Sequence, residues 1–146
     1  MKAYKDPAGG IRVFRPIENA IRLNKSSSAI CFPQYDPDEF VKCLCELLKL
    51  EADWLPDRPG TMYIRPTVMS MTNQLGLHPP HETKLFIALS PVESYFPSGL
   101  QPLKILVESE GSRSWKGGIG DMKLGANYAI GMRYLNAAFK RGLSFF

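Results

Sequence analysis

The sequence predicts a mixed sheet packed on helices, an α/β or α+β layer arrangement, and three observations carry that expectation. Short apolar runs of strand character recur and stop at prolines. Amphipathic stretches with their own capping residues lie between them. The composition, 45% hydrophobic and 22% charged, suits a chain that buries an ordinary core, and 146 residues allow one compact unit of common size.

Taken in order, Pro7, Gly9 and Gly10 form a turn between two short extended pieces, the second being Ile11 to Phe14, so a hairpin is expected. Pro16 opens a short helix whose apolar side is Ile17, Ala20, Ile21 and Leu23. Asp36 followed by Pro37, Asp38 and Glu39 reads as a helix start: a cap, a proline at the first position, and acid where the positive end of the helix dipole favours it. Phe40, Leu44, Leu47 and Leu48 recur at i, i+4, i+7 and i+8, which buries one stripe. Trp54, Pro56 and the Pro59-Gly60 turn close this helix.

Met62 to Ile64 reads as a strand running into Arg65-Pro66, and Leu85 to Leu89 as an apolar strand stopped by Pro91. Leu103 to Val107 is expected as a third. Ser109 to Gly120 is polar and rich in glycine and feeds a last helix with Tyr128, Met132, Leu135 and Phe139 on one side. A glycine loop before a helix can cradle phosphate. Its spacing fits neither a Walker A loop nor a GxGxxG fingerprint, and spacing alone makes it a flexible linker.

Charge and cysteine usage exclude several classes. Eighteen basic against fourteen acidic residues give a net charge of +4, but the basic residues are scattered without a dense run, so no nucleic-acid footprint is expected. Cys31, Cys43 and Cys45 are odd in number and lack a histidine at ligand spacing, so neither a disulfide nor a metal site is expected and the compartment is reducing. No stretch approaches the ~18 apolar residues that cross a membrane. The first residues show no targeting segment.

Lys123 is the residue with chemistry in its surroundings. A lysine that condenses with an aldehyde must lose its proton near neutral pH, which asks for partial desolvation or a nearby cation, and small residues on either side let a flat ring approach the backbone. Gly117, Gly118, Gly120 and Gly125 surround Lys123 in this way. Without further context, a lysine before a helix is an ordinary solvated side chain.

The segment from Trp115 to Gly118 and on through Gly120-Asp121-Met122-Lys123-Leu124-Gly125-Ala126-Asn127-Tyr128 resembles the motif around the cofactor lysine of branched-chain amino acid aminotransferases, within the class-IV pyridoxal-phosphate aminotransferase family. Lys2-Ala3-Tyr4, Ile11 to Pro16, Asn19 to Leu23, Tyr63-Ile64-Arg65-Pro66-Thr67 and Leu89 to Val92 resemble family segments in the same order. The match runs to about Lys140, and several motifs in order are far more specific than one.

The resemblance implies the D-amino acid aminotransferase-like fold, with residues 1–96 forming most of a small N-terminal domain and 97–146 an interdomain loop and the start of the large cofactor-binding domain. It implies transamination of leucine, isoleucine and valine with 2-oxoglutarate, with pyridoxal 5'-phosphate carried by Lys123 as an aldimine. Lys123 would be catalytic as general base and acid. Arg22 would pair with the cofactor phosphate, a task that suits a bidentate donor. Tyr128 would reach the ring's phenolic oxygen. Tyr63 and Arg65, alternate residues of one strand, would share a face lining the substrate pocket near the carboxylate, with Tyr95 and Lys2 near the site. An apolar pocket accepts all three side chains because one methylene discriminates by only ~1 to 3 kcal/mol. The family also implies a homodimer and a cytoplasmic or mitochondrial location.

Two departures from the family qualify this. Its Gly-Gly-Asn-Tyr stands here as Gly125-Ala126-Asn127-Tyr128, which matters only if Ala126 must take a positive φ. The ending Arg141-Gly142-Leu143-Ser144-Phe145-Phe146 leaves the family pattern, so a chain truncated at both ends is expected, with Met1 an internal methionine. The acid that keeps the pyridine nitrogen protonated and the further phosphate donors would then be missing, Met132, Leu135 and Phe139 would be exposed, and the isolated chain would be inactive or poorly folded. Two alternatives stand beside this reading. One is another enzyme of the fold group, such as a D-amino acid aminotransferase or an aminodeoxychorismate lyase. The other is a non-catalytic fragment that dimerises with the full-length enzyme.

Overall fold

The computed structural model describes residues 1–93, 99 and 101–144. They fall into two compact units, Met1–Pro97 and Ser98–Phe146.

The first unit is a sheet with helices on one face. Its strands are β1 (Lys2–Lys5), β2 (Ile11–Val13), β3 (Thr61–Ser70) and β4 (Thr83–Val92), all antiparallel, in the order β2-β1-β3-β4. The expected hairpin joins β1 to β2. Asp6 organises its turn: one carboxylate oxygen accepts from the Ala8 and Gly10 amides at 2.9 and 2.8 Å, and the other takes the Arg12 guanidinium at 2.8 Å. These bonds, that of Arg12 foremost, hold the Asp6 carboxyl below the usual carboxylate range. Gly9 turns the chain at φ +83°, a conformation that favours glycine.

Helix α1 spans Pro16–Ser28 and α2 spans Pro37–Leu50. Helix α1 has 13 residues and is not the short element expected, because Asn24 and Ser26 to Ser28 continue its turns past the apolar side. Asn24 then holds the connection to α2, donating to the Tyr35 carbonyl at 2.7 Å, while the Tyr35 hydroxyl donates to the Ala20 carbonyl at 2.9 Å. Helix α2 starts as expected, with one Asp36 oxygen accepting from the Asp38 and Glu39 amides. Its Phe40, Leu44 and Leu48 meet Ala3, Ala20, Leu55, Met62 and Ile64 in the core, and Leu47 is half-buried.

Both long strands run through the prolines that were expected to end them. The reason lies in which edge each proline faces. Ile64 exchanges hydrogen bonds with Met1, so its amide points away from β4, and Pro66, two residues on, faces the same side, where β1 has already ended. Leu89 stands opposite Ile64, so its amide points to the free edge of β4, and so does the nitrogen of Pro91. Neither proline removes a rung of the β3–β4 ladder.

In the second unit the expected strand at Leu103 to Val107 is absent. Ile105 is a single bridge residue, and the Lys104 carbonyl accepts from the Ser144 amide at 2.8 Å. Strand propensity there finds no ladder to join among the described residues. The expected last helix is two: α3 (Gly125–Ala129) and α4 (Met132–Lys140), separated at Ile130 and Gly131. Among the described residues of this unit Ala138 is the buried apolar one; of the stripe expected to be exposed, Met132 and Phe139 are so, while Leu135 is half-buried. Among the described residues, no helix is long and apolar enough to cross a membrane.

Candidate functional site

The expected site residues fall into separate groups, one in the second unit and the others in the first. The second-unit group is built on the polar loop before α3. Tight turns fold that loop on itself: Gly118 donates to the Trp115 carbonyl at 3.1 Å and Met122 to the Ile119 carbonyl at 3.0 Å. Gly120 must be glycine, because a Cβ there would lie 2.1 Å from the Ser114 Cβ. Gly117 stands at φ +83° with open space where a side chain would be.

Lys123 follows this loop, two residues before α3. Its Nζ donates to the Tyr128 hydroxyl at 2.7 Å and lies 4.6 Å from the centre of the same ring. Both side chains are exposed, Tyr128 by 51%. The lysine and the tyrosine five residues on, both singled out in the sequence, are thus brought into direct contact, with the tyrosine hydroxyl facing the amine. Ala126 lies within α3 and is not among the residues at positive φ, so the alanine in place of glycine brings no backbone strain.

Asn127 was not singled out by the sequence reading. It is 4% exposed, and its Nδ2 donates to the carbonyls of Ile119 and Met122, each at 2.8 Å, while its own amide donates to the Leu124 carbonyl at 3.2 Å. Both side-chain partners are carbonyls, which only accept, so the amide nitrogen must face them. The available signal was its polarity among small residues, which reads equally as a helix cap.

In the first unit, alternation puts Ala3, Met62 and Ile64 under the helices and Lys2, Tyr63 and Arg65 on the opposite face. Lys2 and Ser90 stand directly opposite Tyr63 on its two sides, and the Arg65 guanidinium carbon is 5.2 Å from the Tyr63 ring centre. This open face thus holds two cations, a phenol and a hydroxyl side by side. Arg22 belongs to another element, α1, where it is exposed and donates to Asn19 Oδ1 at 2.8 Å. Tyr95 lies outside the described residues. The three cysteines are free and exposed, and no cluster of three or more metal-ligating side chains occurs among the described residues.

No family model matches the chain. It is 38% identical over 145 residues to the branched-chain-amino-acid aminotransferase of Dictyostelium discoideum, taking in 99% of this chain and 38% of that protein. It is 40% identical over 145 residues to branched-chain-amino-acid aminotransferase 2 of Bacillus subtilis (strain 168), over 99% of this chain and 40% of that one. The mitochondrial branched-chain-amino-acid aminotransferase of Saccharomyces cerevisiae is 37% identical over 143 residues, or 97% of this chain and 36% of the relative. A cytosolic form from Rattus norvegicus also matches, at 38% over 130 residues, 88% of this chain and 32% of that protein. The chain spans about two fifths of the length of the curated relatives it matches.

Proposed function

Because the chain belongs to the branched-chain-amino-acid aminotransferase family, we propose that it is the lysine-bearing part of a transaminase that transfers the amino group of leucine, isoleucine or valine to 2-oxoglutarate. The observation that carries this reading is the 2.7 Å contact between Lys123 and Tyr128 beside the glycine loop, on a chain similar to these enzymes over nearly all its residues.

The residues present fit pyridoxal 5'-phosphate. An exposed primary amine stands next to a hydroxyl, and Gly117 and Gly125 leave open space where a side chain would stand. Bound to an amino acid, pyridoxal phosphate supplies an electron sink that acidifies the Cα proton. Lys123 Nζ is the base that takes that proton and the acid that returns it, within reach of a tyrosine that fixes its direction. Tyr128 orients the amine, and its hydroxyl would also serve the ring oxygen of the bound cofactor. Arg22 keeps donors beyond the one spent on Asn19, enough for bidentate contact with a phosphate.

On the sheet face, Arg65 holds a substrate carboxylate, Tyr63 stacks below the guanidinium, and Lys2 raises the local positive charge. Tyr95 belongs with them by resemblance. Residues 1–96 make up most of the family's small N-terminal domain, and residues 97–146 the interdomain loop and the start of the cofactor domain, a division within one residue of the boundary between the two units. The full-length parent acts as a homodimer in the cytoplasm or the mitochondrion, the compartments named for its relatives. Since the relatives are some two and a half times as long, activity belongs to a chain of their length, and the 146 residues alone are inactive or poorly folded.

The test is to mix the protein with pyridoxal phosphate, reduce with borohydride, digest and weigh the peptides. The added mass is expected on Lys123, with Lys116 and Lys140 unmodified, and is lost in the Lys123→Ala variant. Equal labelling of several lysines, or none at Lys123, overturns the reading. In a full-length enzyme carrying this sequence, Arg65→Met is expected to raise KM for 2-oxoglutarate about tenfold or more, the size of one charge-assisted hydrogen bond.

A further inference from the structure

We propose that Asn127 is the positioning residue of this site: it clamps the backbone on both sides of Lys123 and so sets the direction of the amine toward Tyr128. The proposal rests on the reading that Lys123 carries the chemistry, and deepens it by naming what holds Lys123 in place.

Three bonds from one residue bracket the lysine. The side chain of Asn127 binds the Met122 carbonyl, immediately before Lys123, and the backbone amide of Asn127 binds the Leu124 carbonyl, immediately after it. The second side-chain bond, to the Ile119 carbonyl, anchors the turn that Met122 closes by donating to that same carbonyl. The peptide before Lys123 and the carbonyl of the residue after it are thereby tied to the first turn of α3, and Tyr128 is the next residue along that turn. An exposed lysine side chain has many rotamers. With its backbone fixed against the turn that carries Tyr128, the 2.7 Å contact between the two needs only the side chain to settle.

Asn127 is buried, yet it fills no apolar core. Burial of an amide is tolerated because both of its N–H groups are satisfied. No aspartate serves at neutral pH, since an ionised carboxylate donates nothing and faces two carbonyl oxygens. A protonated aspartic acid recovers one donor. That difference gives a test that a merely structural role does not share.

The experiment compares the whole chain with its Asn127→Asp and Asn127→Leu variants. Lys123 is dosed briefly with a water-soluble acylating reagent across a pH series, with Lys116 and Lys140 as internal references, and amide exchange is followed over residues 119–139. At neutral pH the Lys123 to Lys116 labelling ratio is expected to rise about threefold in both variants as the amine leaves its partner, and the Met122 amide to exchange about tenfold faster, as loss of hydrogen bonds of ordinary strength implies. On acidification the Asn127→Asp variant returns toward the wild-type ratio at the same pH, while Asn127→Leu does not. Trapping of pyridoxal phosphate at Lys123 falls alongside.

A wild-type labelling ratio at every pH in folded variants overturns the clamp. So does loss of exchange protection across α4 in both variants at every pH, because Asn127 then serves the whole unit and not Lys123. If wild-type Lys123 traps no pyridoxal phosphate while the ratio still shifts with Asn127, the cofactor reading fails and the clamp stands.

Discussion

The two units of this chain are held by different means. In the first, Phe40, Leu44 and Leu48 from α2 close on Ala3, Met62 and Ile64 from the sheet, a continuous apolar core. In the second, Ala138 is the buried apolar residue among those described, and the buried polar Asn127 makes two side-chain hydrogen bonds to the loop. One unit draws its order from removing surface from water, the other from local hydrogen bonds. The lysine with the strongest chemical context sits in the second kind, where a few directed bonds set geometry without a close-packed core around them. Order by hydrogen bonding costs little stability to rearrange, so the loop before α3 is the more adaptable of the two regions.

The sharpest way to break this contrast is in the core. Leu44, 1% exposed, lies at the centre of the apolar contact, and Leu44→Ala is expected to cost the first unit about 2 to 5 kcal/mol. Urea titration followed by peptide-level amide exchange should show residues 37–64 opening first, with 119–139 unchanged. Simultaneous loss of both sets would mean that the units unfold as one and that the contrast is false.

A smaller effect is expected at the start of α2, where Asp36→Ala removes the acceptor of two amides and costs about 1 kcal/mol by the same titration. Tyr35 sharpens the same point through pH. Burial pushes its phenol up to about 12, against 10.0 for the free group. The folded chain therefore keeps the proton where the unfolded chain gives it up, so this stability is whole below pH 10 and is lost as pH rises through 12. Thermal melting between pH 9 and 12 should fall less steeply in Tyr35→Phe than in the parent. At the weak end, Phe139→Ser on the exposed side of α4 is expected to change stability by less than about 0.5 kcal/mol. A loss several times larger would reveal a core in the second unit that the fold does not display.

Legibility in the sequence followed the same division. The Asp36 cap, the α2 stripe and the Gly9 turn were readable because each rests on residues close in the chain. Strand ends were misplaced at Pro66 and Pro91, since the cost of a proline depends on which edge its nitrogen faces, and that is fixed by pairing with distant residues. Leu103 to Val107 failed for the reverse reason: the local pattern was right for a strand, but no partner strand exists for it among the described residues. For the candidate site, the shared face of Tyr63 and Arg65 followed from their alternation, while the contact between Lys123 and Tyr128, five residues apart, was not itself expected. The role of Asn127 was invisible, because its partners are carbonyl groups, which every residue carries and no letter of the sequence marks.

The outward-facing nitrogen of Pro91 has a bearing on solubility. Among the described residues no strand pairs with the outer edge of β4, an apolar strand, and such an edge is the sort of template on which chains stack into cross-β aggregates. Any strand docking there finds one rung missing near its end, so a single imino acid blunts growth at that border while leaving the native ladder intact.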